Sequence, residues 1–166
     1  SSYLLNAQYF QTGQDPASIR WQQINTENFQ LIYPEYFNSQ AQKLAQVLEK
    51  VYNYGGFSLN HQPKKISVIL HTQTVKSNGL VAWAPKRSEF YTTPHQGIYP
   101  QDWLEQLALH EFRHVVQIDK MNSEIPKLIK LILGEQGTAL IFGAYLPWWF
   151  IEGDAVVTET ALSNYG

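Results

Sequence analysis

His110-Glu111-Phe112-Arg113-His114 has the pattern H-E-x-x-H. At ~100° per residue the two histidines fall on one helix face, one turn apart. Two imidazoles placed this way can converge on one metal ion. Glu111, beside that face, can reach a water held by the ion. The same stretch carries an apolar stripe of Leu104, Leu107, Ala108, Val115 and Ile118, with Leu109, Phe112 and Val116 covering another side. A helix this apolar is largely buried, and buried histidines need partners. The pentapeptide alone allows two readings: a metal-binding pair, or two hydrogen-bonded core histidines.

A second segment, Trp148-Trp149-Phe150-Ile151-Glu152-Gly153-Asp154-Ala155, sets a carboxylate among aromatic and apolar residues. Catalytic zinc takes three protein ligands, and two histidines with one glutamate form an established set. Glu152 is the expected third ligand, with one zinc ion per chain and a fourth position open to water. Glu159 follows after nearly two helical turns and shares a face with Glu152. It is placed to accept a ring N–H from a ligating histidine, which would fix that ring's tautomer. Asp154 points to the other side and reads as a solvent or cap residue. Arg113 is expected on the face away from the metal residues, either paired with Glu105 or Asp119 or solvated. His61, in a loop, and His71, at a strand end, are not expected as ligands.

The elements that position these residues follow from periodicity and breakers. Trp21–Ile24 and Phe29–Tyr33 read as strands around the turn Asn25–Asn28. A helix is expected from Pro34 to about Tyr54, with Leu44, Val47, Leu48, Val51 and Tyr52 on one face, stopped by Gly55-Gly56. Lys65–His71 reads as a buried strand. Leu80–Ala84 and Glu89–Thr92 read as strands on either side of Pro85-Lys86-Arg87, after the turn Asn78-Gly79. The motif helix is expected from Gln101 to about Met121. Apolar helical stretches at Ile125–Leu133 and Glu135–Tyr145 should follow, and a last helix from about Phe150 to Leu162. The apolar segment Leu128–Phe150 is read first as core, then as a dock for a following domain, then as a membrane-surface contact through Trp148 and Trp149. Strands lead and helices follow, so the fold class is α+β. Residues 1–20 form an extended lead-in, 21–100 a strand-rich part and 101–166 the helical metal-binding part of a single domain.

Composition narrows the function classes. The chain has 166 residues, enough for one domain with a real core. With 12 basic and 14 acidic residues the net charge is −2, which argues against nucleic acid as a partner. Cysteine is absent, so disulfide scaffolds, cysteine–zinc sites and thiol catalysis are excluded, and any metal must sit on histidine and carboxylate. Ser1–Phe10 lacks a basic start and a long apolar run, so no signal peptide is visible. The longest charge-free stretch, Gln136–Ile151, is 16 residues and broken by Pro147, short of the ~20 needed for a transmembrane segment.

H-E-x-x-H followed by W-x-x-E-G-x-A-x-x-x-E (Trp149 to Glu159) resembles the gluzincin branch of zinc metallopeptidases, the tail being similar to that of aminopeptidase-like members. The interval departs from theirs: 37 residues lie between His114 and Glu152. That departure bears on subfamily and substrate, not on the ligand set. A second resemblance spans most of the chain, through Trp21–Tyr33, NGLVAWAPKRSEFYTTP (78–94), LALHEFRHVVQ (107–117) and WWFIEGDA (148–155). These segments are similar to the amino-terminal peptidase-like domain of large exported bacterial proteins in which a β-propeller follows. The resemblance implies a zincin-like fold with a small N-terminal mixed sheet, an edge strand beside the zinc helix and a mostly helical C-terminal part. It also implies a piece of a longer chain, an exported or periplasmic setting, and a C-terminal propeller as partner.

The implied activity is peptide-bond hydrolysis of a peptide or protein substrate. Zinc acidifies a bound water, and Glu111 acts as general base. An oxyanion donor is also needed, and Tyr145, Tyr165 and His95 qualify by residue type alone. An extended substrate would pair with a sheet edge, the best candidates being Gly79–Trp83, through Gly79, Val81 and Trp83, and Glu89–Thr92, unless Trp83 and Tyr91 simply pack in the core. The competing expectations are a non-catalytic binding or assembly module on a degenerate peptidase scaffold, and a structural helical domain with a chance motif.

Overall fold

The computed structural model describes residues 15–82, 85–94, 97, 101–125, 131–134, 137 and 147–162. Strands β1 (Trp21–Asn25) and β2 (Phe29–Pro34) come first, then helix α1 (Asn38–Gly55). Strands β3 (Ile66–His71), β4 (Gly79–Ala82) and β5 (Arg87–Tyr91) follow, and then helices α2 (Trp103–Glu124) and α3 (Trp148–Leu162). The strands form one mixed sheet in the order β1-β2-β3-β5-β4. β2, β3 and β5 run parallel, while β1 and β4 are antiparallel to their single neighbours at either end. The fold is α+β: a five-stranded mixed sheet followed by a mostly helical part.

Alternation puts Phe29, Leu31 and Tyr33 of β2 and Ile66, Val68 and Leu70 of β3 on one buried face. α1 returns the chain from β2 to parallel β3 and packs on that face through Ala41, Leu44, Ala45, Leu48 and Val51. α2 lies against α1 and passes β4, and α3 lies against α2. Phe112, inside the H-E-x-x-H pentapeptide, meets Phe29 of β2 and Tyr52 of α1, with ring centroids 5.9 and 5.7 Å away. This aromatic cluster sets the rotation of α2 and turns His110 and His114 away from the sheet core. Asp102 starts the helix by accepting the Leu104 and Glu105 amides at 2.9 and 3.4 Å.

Three local expectations change. The segment after β2 opens as a 3₁₀ turn, Glu35–Phe37, because Pro34 still belongs to the strand; α1 begins only at Asn38. β4 spans Gly79–Ala82; Trp83 and Ala84 lie outside the described residues. Most of the two apolar stretches between Ile125 and Tyr145 also lies outside them. Where the apolar segment expected as core is described, Leu131, Ile132, Trp149 and Phe150 are exposed. Tyr91 is buried and stacks on His71, as the core alternative had it. No helix among the described residues is long and apolar enough to cross a membrane.

Candidate metal centre

α2 brings the two imidazoles together. Their rings meet edge-on with centroids 4.8 Å apart, and the two Nε2 atoms are 3.1 Å apart. α3 packs across α2 and lays Glu152 over the pair. Glu152 Oε2 is 3.4 Å from His110 Nε2 and 3.6 Å from His114 Nε2. His110, His114 and Glu152 thus form a group able to hold a metal ion, assembled from two helices that the chain separates widely. Ligands of a tetrahedral ion at ~2.0–2.1 Å stand about 3.3–3.4 Å from one another. The three observed separations bracket that value.

The hydrogen bonds behind the rings decide whether these atoms fit a cation. His110 Nδ1 lies 3.1 Å from Glu159 Oε2, and the other Glu159 oxygen accepts from Gln106 Nε2 at 2.6 Å. A carboxylate only accepts, so His110 carries its proton on Nδ1 and turns a bare lone pair outward at Nε2. His114 Nδ1 lies 2.9 Å from Gln117 Oε1. The Gln117 amide nitrogen donates to Ile151 O at 3.2 Å and to Asp154 Oδ2 at 2.6 Å, both pure acceptors. The amide orientation is therefore fixed, its oxygen accepts from His114 Nδ1, and His114 Nε2 is bare as well. In the neutral rings both Nε2 atoms then present lone pairs to one point shared with a carboxylate oxygen; with no cation there, the 3.1 Å approach of the two Nε2 atoms is a hydrogen bond that needs a proton on one of them. A divalent cation of the imidazole- and carboxylate-binding kind fits in place of that proton, and zinc is one that suits this donor set.

Glu111 stands next to this point. It is only 4 % exposed. Its carboxyl fills the space beside Gly79 of β4, where an added Cβ would come within 2.2 Å of Glu111 Cδ and Oε1. Burial pushes the Glu111 carboxyl up to about 7; the nearby His110 opposes the rise and Glu152 adds to it. Its hydrogen bond to Glu159 holds His110 above its ordinary value. Burial lowers His114 below its own, with the Gln117 hydrogen bond opposing.

Two expectations are corrected here. Arg113 is neither solvated nor paired with Glu105 or Asp119; it is buried and forms a two-point ion pair with Asp154, Nε to Oδ2 at 2.5 Å and Nη2 to Oδ1 at 2.8 Å. Asp154 is therefore not a solvent or cap residue. Its partner lies on a different helix, which periodicity within one helix does not show. Asp119 instead accepts from Lys86 and pairs with His61 at 2.9 Å, so His61 is structural. His71 pairs with Asp15 at 2.6 Å and ends β3, not either helix of the candidate centre. Gln117 escaped the sequence reading. Its spacing of three residues after His114 on the same helix face was the available signal. Gly79 and Val81 lie on β4 at the sheet edge, but Glu89–Thr92 is no edge, because β5 is paired on both sides, with β3 and β4; Trp83, Tyr145, Tyr165 and His95 lie outside the described residues. No known family model matches the chain, and no match is found among curated proteins or solved structures.

Proposed function

We propose that this chain is a zinc-dependent metallopeptidase, with His110, His114 and Glu152 holding one zinc ion. A zinc ion so held supplies Lewis-acid polarisation of a carbonyl and a water acidified toward neutrality. Glu159 and Gln117 hold the two imidazoles in the tautomer that leaves Nε2 free. Glu111 takes a proton from the attacking water and delivers it to the leaving amine; its buried setting, with a carboxyl poised near neutrality, suits both directions of transfer. β4 is the last strand in the order of the sheet and passes α2, so an extended peptide adding beside Gly79 and Val81 would lie next to Glu111. The sequence resemblance alone carries the exported setting and a following propeller domain.

The observation that supports the reading most is the convergence of His110 Nε2, His114 Nε2 and Glu152 Oε2 on one point, with the outer ring nitrogens held by Glu159 and Gln117. The test is zinc titration of the metal-free chain with a peptide-library assay. One ion per chain, lost in Glu152→Ala, is expected. Glu111→Gln should keep the ion and lose about 100-fold or more in hydrolysis. Zinc binding without cleavage by the wild-type chain would favour the binding or assembly module; no zinc binding would remove the metallopeptidase reading.

A further inference from the structure

We infer that the ion pair of buried Arg113 with half-buried Asp154, together with Gln117, is the positioning device that seats Glu152 over the two imidazoles. The inference rests on the metal-centre reading above. Glu152 is 51 % exposed and sits on α3, whose described residues are mostly exposed. Ala155 is its fully buried residue among those described, while Trp149, Val156 and Val157 face outward. A small alanine against α2 leaves both the slide and the rotation of α3 loosely specified, yet a metal ligand must be held within about 0.5 Å.

The polar contacts between α2 and α3 supply what the packing does not. The planar guanidinium meets the Asp154 carboxylate at two points, so it fixes direction as well as distance. The third donor of Arg113, Nη1, reaches Gly55 O at 3.3 Å, so the end of α1 holds the fork from behind. Gln117 adds a bond to the Ile151 carbonyl and a second to Asp154. Two anchors on α3, Asp154 and the Ile151 carbonyl, thus lie within two residues of Glu152, on α2 Arg113 and Gln117 flank His114, and Glu159, two turns further along α3, adds its bonds to Gln106 and His110. The same Gln117 sets the His114 tautomer, so one amide couples the ring's protonation to the seating of the third ligand. A buried ion pair is a weak source of net stability against an apolar replacement, so its distinctive contribution is geometry.

The test measures zinc affinity by competition, with zinc ion alone as the ligand, in the wild-type chain and two variants. Arg113→Met with Asp154→Leu removes both charges at similar volume and leaves neither orphaned. Arg113→Lys keeps a charge but loses the fork. Both variants should bind zinc about 10- to 100-fold more weakly. The thermal midpoint of the metal-free double variant should stay close to that of wild type. Wild-type affinity in both variants overturns the inference. Loss of fold in the double variant also overturns it, because the pair would then be a stability element. Failure of the wild-type chain to bind zinc overturns the metal-centre reading itself, and this inference with it.

Discussion

At position 111 the side chain is confined from two directions. The core side of α2 buries its stem, and β4 brings a bare Cα against its carboxyl. The group that a methyl at Gly79 would strike is the end of a flexible chain, so Gly79→Ala should displace the carboxylate and leave the fold standing. The expected outcome is a fall in kcat of about 10-fold or more, since a displacement of ~1 Å in a reacting group can cost 10²-fold. The thermal midpoint should move little. Peptidase kinetics beside a melting curve checks this. The pentapeptide spacing made Glu111 and the two imidazoles legible in the sequence. The glycine that sets the carboxylate's place was legible as a turn residue and as an edge-strand candidate for substrate, but not as the wall against Glu111, because that role depends on a contact across the fold.

The helices meet closely where α1 ends. A Cβ on Gly55 would come within 2.7 Å of Phe112 Cδ1 and 2.9 Å of Cε1. Phe112 is fully buried between β2 and α1 and cannot swing out. Gly55→Ala is therefore expected to cost about 1–3 kcal/mol through overpacking, measurable by urea unfolding. It should also weaken zinc binding, because Phe112 lies between Glu111 and Arg113 on the same turn. The strands and helices themselves were readable from apolar alternation and from Gly and Pro breakers, to within a residue or two at most ends. The 3₁₀ turn before α1 was not, because Pro34 fits either a strand end or a helix start.

Across the whole molecule, α2 is tied to the loop after α1 and to the turn before β5 by one carboxylate. Burial opposes ionisation of Asp119, yet its bonds from Lys86 and His61 win and hold it below the ordinary carboxylate value. A carboxyl lowered in the folded state contributes stability above its unfolded value, and that contribution is lost as pH falls through the folded one. Stability of the wild-type chain should therefore drop as pH goes below ~4. Asp119→Asn should be less stable by about 1 kcal/mol at neutral pH and should lose less on acidification. Denaturant midpoints measured from pH 7 to 3 test both. Metal linkage also acts at this scale, since the candidate centre joins α2 to α3. With zinc at about 100 times its Kd, binding adds about 2.7 kcal/mol. Removal by a chelator should then lower Tm by about 5–10 °C.

The sequence by itself determined the α+β order, the two motif histidines with the glutamate between them, and the candidacy of Glu152 and Glu159. Those follow from local rules of period, spacing and donor chemistry, which act over a few turns of one helix. Only the tertiary structure decided that Glu152 meets the histidines, that Asp154 answers Arg113, and that Gln117 fixes the tautomer of His114. Each of these depends on how α3 rotates and slides against α2. That placement is set by buried polar contacts between residues about forty positions apart, and no short-range pattern encodes it.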